Sequence, residues 1–220
     1  MARKDAEAIY LVGDIFDFWF EYKYVVPKGY VRLLGKLGEL RDEGIRITAF
    51  KGNHDMWMFG YFEKELSIPV ISDELILEEN GKRILVHHGD GLGPGDRSYK
   101  LLKKIFRNPI CQWLFSVLPP RLGFGLANYF SSKSRLANQA HDEVFKEEEE
   151  WLLQYTRDRQ TKEHFDYYIF GHRHLPLDLK VDEKSRYINL GEWIHHSTYA
   201  VFDGHELRLE KFENDSHQSA

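Results

Sequence analysis

The stretch Ile45-Arg46-Ile47-Thr48-Ala49-Phe50, followed by Lys51-Gly52-Asn53-His54-Asp55, decides how this chain is read. Its first half is β-branched and aromatic and predicts a buried strand. Glycine then permits a sharp turn, and an amide, an imidazole and a carboxylate follow within three residues. In α/β sheets the loops beyond strand ends are where ligands collect. Upstream, residues 31–43 carry leucines at 33, 34, 37 and 40, a helical stripe, with Gly44 in the place of a C-terminal stop. Before that, Ala8-Ile9-Tyr10-Leu11-Val12 is a short apolar run, read as a buried strand, ending in Gly13-Asp14. Strand, helix, strand in this order predicts a parallel βαβ unit and an α/β protein.

Downstream, residues 56–66 predict a short helix. Residues 74–79 and 83–87 flank Asn80-Gly81, a strong hairpin signal, and lead into His87-His88-Gly89-Asp90. A glycine-rich loop follows at 91–95, and helical patterns run from 97 to about 159. Tyr167-Tyr168-Ile169-Phe170 restores the sheet pattern and delivers Gly171-His172-Arg173-His174. Residues 177–181, 187–190, 198–202 and 206–212 predict antiparallel strands, with Asp203-Gly204 the clearest turn among them. Residues 15–22, IFDFWFEY, are too aromatic for a solvated loop and are expected to pack over the site or line a pocket. The expected division is a core of residues 1–96 and 160–213, a helical insertion at 97–159 and a frayed tail at 214–220.

A chain of 220 residues with 42% apolar and 30% charged content can bury a sizeable core. It has no apolar run long enough to span a membrane and no secretory pattern at its start. A single cysteine, Cys111, excludes an internal disulfide framework. The net charge of −5 argues against a general nucleic-acid surface. Eleven histidines point to metal or acid–base chemistry, with some of them ordinary surface residues.

The four strand-end clusters offer Asp, Asn and His, ligands that suit Mn²⁺, Zn²⁺, Fe²⁺ or Mg²⁺ over soft metals. Singly each is weak: Asp14 has a lesser reading as a turn cap, Asn53 as a turn amide and His54 as a surface residue. Strand alternation sends His87 and His88 to opposite sides, so at most one faces a site, and His88, beside Gly89-Asp90, is the better candidate. His172 and His174 share a face if extended. His195, His196 and His205 read as loop or surface residues.

Together, in this order and spacing, the clusters resemble the calcineurin-like metallophosphoesterases, whose signature runs D-x-H, G-D, G-N-H-D or -E, G-H, G-H-x-H. Four of the five blocks are present. The resemblance implies a β-sandwich flanked by helices (four layers, αββα) and two divalent metals, with Mn²⁺ the first expectation and Zn²⁺, Fe²⁺ or Mg²⁺ the alternatives. It implies that Asp14 bridges them, that Asn53, His88 and His172 complete one site, and that His174 belongs to the other. His54 then resembles the histidine that stabilises or protonates the phosphoryl transition state, oriented by Asp55. The D-x-H block has no match, and residues 1–8 look like the end of a helix that would follow its strand. The expectation is a start upstream of Met1, an open sheet position beside the first strand, and poor folding and slow hydrolysis for the chain beginning at Met1.

Within the insertion, residues 97–135 contain eight basic residues and no acidic ones, interleaved with leucine, isoleucine, phenylalanine and tryptophan. This composition fits a segment lying on anionic lipid, or an ordinary helical hairpin packed on the sheet. Residues 142–150, ending in four glutamates, read as a solvated face. Gly13 to Trp19, His88 to Asp96 and Ser132-Lys133-Ser134 are similar to motifs of the UDP-2,3-diacylglucosamine diphosphatases of lipid A biosynthesis. That similarity implies hydrolysis of a UDP-linked, two-chain acylated glucosamine to UMP and the acyl-sugar 1-phosphate. It implies a cytoplasmic enzyme peripheral to the inner membrane, with Asn53, His54, His172, Asp96, Lys133 and Arg135 on the substrate. The better-known members carry arginine where this chain has His54. The alternatives are another calcineurin-like phosphoesterase, acting on nucleotides, phosphodiesters or phosphoproteins, and a metal-binding scaffold without activity.

Overall fold

The structure, a computed structural model, describes residues 5–95, 97–127, 129–131 and 145–212. The chain divides into two compact units, Met1–Asp73 with Asp96–Ala137, and Glu74–Gly95 with Asn138–Ala220.

The first unit is built on a three-stranded sheet of β1 (Ala8–Leu11), β2 (Arg46–Phe50) and β3 (Val70–Ile71), parallel throughout and in that order. Helix α1 (Val31–Asp42) makes the crossover from β1 to β2 and buries Leu34, Leu37 and Leu40, while Leu33 stays 39% exposed. Each fully buried leucine contributes about 1.5–3 kcal/mol relative to exposure. The helix stops where the sequence said it would. Gly44 takes φ +92°, its N–H donates to Arg41 O, and the Ile45 N–H reaches back to Leu40 O, the paired bonds of a Schellman ending. Strand β1 is only half-buried along its length, short of the buried strand expected, because among the described residues β2 alone flanks it.

Helix α2 covers only Tyr61–Glu65, not the whole of 56–66. Trp57 instead forms a parallel bridge with Phe20, and Gly60 turns the chain at φ +144° before the helix starts. The aromatic run 15–22 is largely core: Phe16, Trp19 and Phe20 are buried, with Phe16 stacked on Trp19 at 4.3 Å and Trp19 edge-on to Phe62.

The basic segment begins with α3 (Arg97–Arg107) and α4 (Pro109–Ser116) and continues as helical residues 120–127 and 129–131. The Asn108 side chain accepts from the Ile110 N–H at 2.8 Å, and Pro109 takes the first helical position, two favoured ways of starting a helix. Phe106 and Phe115 pack on Trp57, and Phe124 packs on Phe18. The Trp57 indole donates to Phe106 O at 2.9 Å. Part of the segment's apolar face therefore packs on the loops that carry Phe18 and Trp57, not on the strands of the sheet.

The second unit holds a five-stranded mixed sheet, β4 (Leu75–Glu79), β5 (Lys82–His87), β6 (Tyr167–Phe170), β7 (Pro176–Lys180) and β8 (Arg186–Leu190), in the order β4-β5-β6-β8-β7. Asn80 and Gly81 both take positive φ, as a two-residue type I′ hairpin turn requires. Strand β8 is antiparallel to β7 but parallel to β6, so the expectation of antiparallel strands after residue 170 is corrected at this pair. The cause lies outside β8, whose own pattern does not record a partner delivered from β6. Helix α5 (Trp151–Gln160) lays Leu152 and Leu153 in a core with Leu85, Phe165, Tyr168 and Tyr187. Strands β9 (Thr198–Phe202) and β10 (Leu207–Lys211) form a separate antiparallel pair.

Candidate metal centre

Asp14 and Asp55 stitch together the loops after β1 and β2 in the first unit. One Asp14 carboxylate oxygen accepts the His54 N–H at 2.8 Å. Asp55, fully buried, accepts from the N–H groups of Gly52 and Ile15, each at 2.7 Å, and of Asp14 at 3.3 Å. Each carboxylate thus neutralises donors of the other loop, which stabilises a turn whose amides have no sheet partner. Gly52 is required by space: a Cβ there would lie 2.1 Å from the Asp14 carboxylate and 2.4 Å from its backbone nitrogen. Asp14 itself sits at φ +50°, a conformation that Asp tolerates better than most residues but that stores strain.

His54 follows half-buried Asn53 on this turn. Its ring Nδ1 lies 3.1 Å from Asp17 O and 3.3 Å from Ser131 Oγ. A carbonyl only accepts, so Nδ1 carries the hydrogen and Nε2, across the ring, is the nitrogen that can exchange a proton. Burial lowers the pKa of neighbouring Lys51, although the Glu63 and Glu21 carboxylates pull the other way. The bonds of Asp55 hold the backbone that carries His54, and the groups seen on the ring are Asp17 and Ser131.

In the second unit, β5 and β6 run parallel and end side by side, and each delivers a histidine. His88 is 2% exposed, and its ring meets that of half-buried His172 edge-on at 5.3 Å. One nitrogen of each ring lies within 4.8 Å of the other's. Two imidazoles this close repel when both are protonated and suit a shared cation when neutral. His172 takes φ +61° in a three-residue turn, closed by the Arg173 N–H donating to Gly171 O. The Asn189 amide also donates to Gly171 O at 2.7 Å, and the Gly171 N–H donates to His88 O at 3.0 Å. Among the described residues, five non-glycines take positive φ, and Asp14 and His172 are two of them.

His174 is half-buried two residues on. Between the two histidines the Arg173 guanidinium donates to Glu150 at 3.0 Å, both side chains being at least nine-tenths buried. Glu150 is the last of the glutamates expected to be solvated, and here that expectation is corrected: the residue leaves the acidic run to meet a buried cation. Nothing in four consecutive glutamates distinguishes the fourth. Asn189 and Ser131 were also invisible in the sequence, because their bonds join residues 18 and 77 positions apart. His87 is buried, its Nδ1 accepting the Gly89 N–H at 2.7 Å. The backbones of His195 and His196 donate to Glu192 in a loop. Asp96, Lys133 and Arg135 lie outside the described residues.

The model of the calcineurin-like phosphoesterase family matches residues 1–176, and the chain belongs to that family of divalent-metal enzymes. It is a metal-dependent hydrolase. A protein of Porphyromonas gingivalis (strain ATCC BAA-308 / W83), named UDP-2,3-diacylglucosamine hydrolase, is 42% identical over 225 residues, spanning 96% of this chain and 86% of that one. The protein of that name from Edwardsiella ictaluri (strain 93-146) is 29% identical over 208 residues, spanning 93% and 79%.

Proposed function

We propose that this chain hydrolyses the diphosphate bond of UDP-2,3-diacylglucosamine, giving UMP and 2,3-diacylglucosamine 1-phosphate for lipid A biosynthesis. The observation that carries this reading is the 42% identity to a hydrolase of that name over 96% of the chain. Asp14, Asn53, His88, His172 and His174 are the residues that would hold two divalent ions, as the family signature implies. The donor chemistry fits: a carboxylate held by an amide in the first unit, and a close pair of imidazoles, one fully buried, in the second. Hard and borderline ligands of this kind suit Mn²⁺ first, with Zn²⁺, Fe²⁺ or Mg²⁺ as substitutes. Bound there, the ions supply the concentrated positive charge that phosphoryl transfer needs.

The protein's own part is to hold and protonate. His54, its Nδ1–H committed to Asp17 O, would serve a phosphoryl oxygen through Nε2 as hydrogen-bond or proton donor in its imidazolium form, in which both ring nitrogens carry a hydrogen. Asp55 keeps the turn in place through its three amide bonds. Asp96, Lys133 and Arg135 are assigned to polar atoms of the substrate from the sequence motifs alone. The helices of 97–159 are read as a cap. Leu101, Ile110, Trp113 and Val117 stand exposed in this segment, as do Lys104 and Arg121, a composition suited to acyl chains and to an anionic leaflet. No helix among the described residues is long and apolar enough to cross a membrane. The reading is of a cytoplasmic enzyme working peripherally at the inner membrane.

The test is release of UMP from UDP-2,3-diacylglucosamine by the purified protein with added Mn²⁺. Equal yields of UMP and acyl-sugar 1-phosphate, both abolished by a chelator, are expected. Metal binding without UMP release, with turnover of a soluble phosphodiester instead, would replace this substrate by that class.

A further inference from the structure

We propose that Ser131 is a positioning residue for His54, an inference that rests on reading His54 as the group facing the phosphoryl centre. Three atoms form a closed triangle in the first unit. Ser131 Oγ lies 3.4 Å from Asp17 O and 3.3 Å from His54 Nδ1, and Nδ1 lies 3.1 Å from Asp17 O. Asp17 O has no hydrogen to give, so the serine hydroxyl donates to it and turns its lone pairs toward Nδ1–H. The imidazole hydrogen is then shared between two acceptors that are themselves bonded to each other.

This arrangement fixes two properties of the ring. It selects the Nδ1–H tautomer, and it restrains rotation, because a swing that spares one acceptor lengthens the bond to the other. Without Ser131 the ring keeps Asp17 O alone, on an exposed residue, and a single acceptor leaves the ring free to pivot about the bond. Ser131 belongs to the basic helical segment, 77 residues from His54. The segment read as a cap for the acyl chains is therefore bonded to the side chain read as acting on the phosphate.

The experiment compares Ser131→Ala and Ser131→Thr with the unsubstituted enzyme on UDP-2,3-diacylglucosamine, each also in a His54→Gln background. Ser131→Ala is expected to lower kcat about 10- to 100-fold with KM little changed, the cost of a small misplacement of a reacting group. Ser131→Thr, which keeps the hydroxyl, restores most of it. In the His54→Gln background Ser131→Ala has no further effect. Nitrogen NMR of ¹⁵N-histidine protein reads the tautomer without turnover, and Ser131→Ala is expected to reduce the Nδ1–H population of His54. An unchanged kcat, an equal loss in both backgrounds, or an unchanged tautomer signal would overturn the proposal. If the unsubstituted enzyme releases no UMP, the substrate reading fails, while the NMR comparison still decides the Ser131–His54 contact.

Discussion

The turn after β2 and the turn after β6 each present ligand-type side chains, yet they are held by different chemistry. The first is tied by carboxylates to backbone amides: Asp14 to one N–H and Asp55 to three. The second is tied from behind by side chains, Asn189 to Gly171 O and Glu150 to Arg173. The first arrangement is local to two neighbouring strand ends and can be written in a short motif. The second borrows from α5's approach and from β8, so its supports are scattered along the chain. Strained backbone appears in both, at Asp14 and His172, where the surrounding bonds over-determine an unfavourable conformation.

The sharpest way to break the comparison is at the buried ion pair. Glu150→Ala removes the carboxylate that meets the buried Arg173 guanidinium and is expected to cost about 3–5 kcal/mol, read as a lower urea midpoint. Replacing both residues, Glu150→Leu with Arg173→Met, should recover most of the loss, since apolar replacement of a buried pair is often close to neutral. A loss below about 1 kcal/mol for the single substitution would mean that the pair behaves as a solvated one.

A smaller effect is expected at Asp55. Asp55→Ala strips three amides of their acceptor and should cost about 2–3 kcal/mol, water replacing part of what is lost. Asp55→Asn retains one acceptor oxygen and should fall between the two. If Asp55→Ala unfolded the second unit's signals as fully as the first's, the two supports would not be independent.

Much of this was legible in the sequence because the signals are local. The leucine stripe and Gly44 set α1 and its Schellman end, Asn80-Gly81 set the hairpin, and strands followed by Gly-Asp, Gly-Asn-His-Asp, His-His-Gly-Asp and Gly-His-x-His marked the turns that carry the candidate ligands. The failures share one cause. The pattern at 56–66 is helical, but Trp57 is claimed by Phe20 in a bridge that no window of sequence contains. The IFDFWFEY run gave its aromatic character but not its destination, which is the core. Glu150 and Ser131 belong to segments whose composition predicts solvent or lipid, and only tertiary contacts single them out.

The central claim is that His88 and His172, at neighbouring strand ends of the second unit, hold a divalent ion together. Metal content at equilibrium with Mn²⁺, measured for the unsubstituted protein, His88→Ala, His172→Ala and the double variant, tests it most directly. The account predicts that each single variant loses bound metal and that the double variant binds no less than His88→Ala alone. Losses that add in the double variant, or a His88→Ala protein that keeps its full complement, would contradict it.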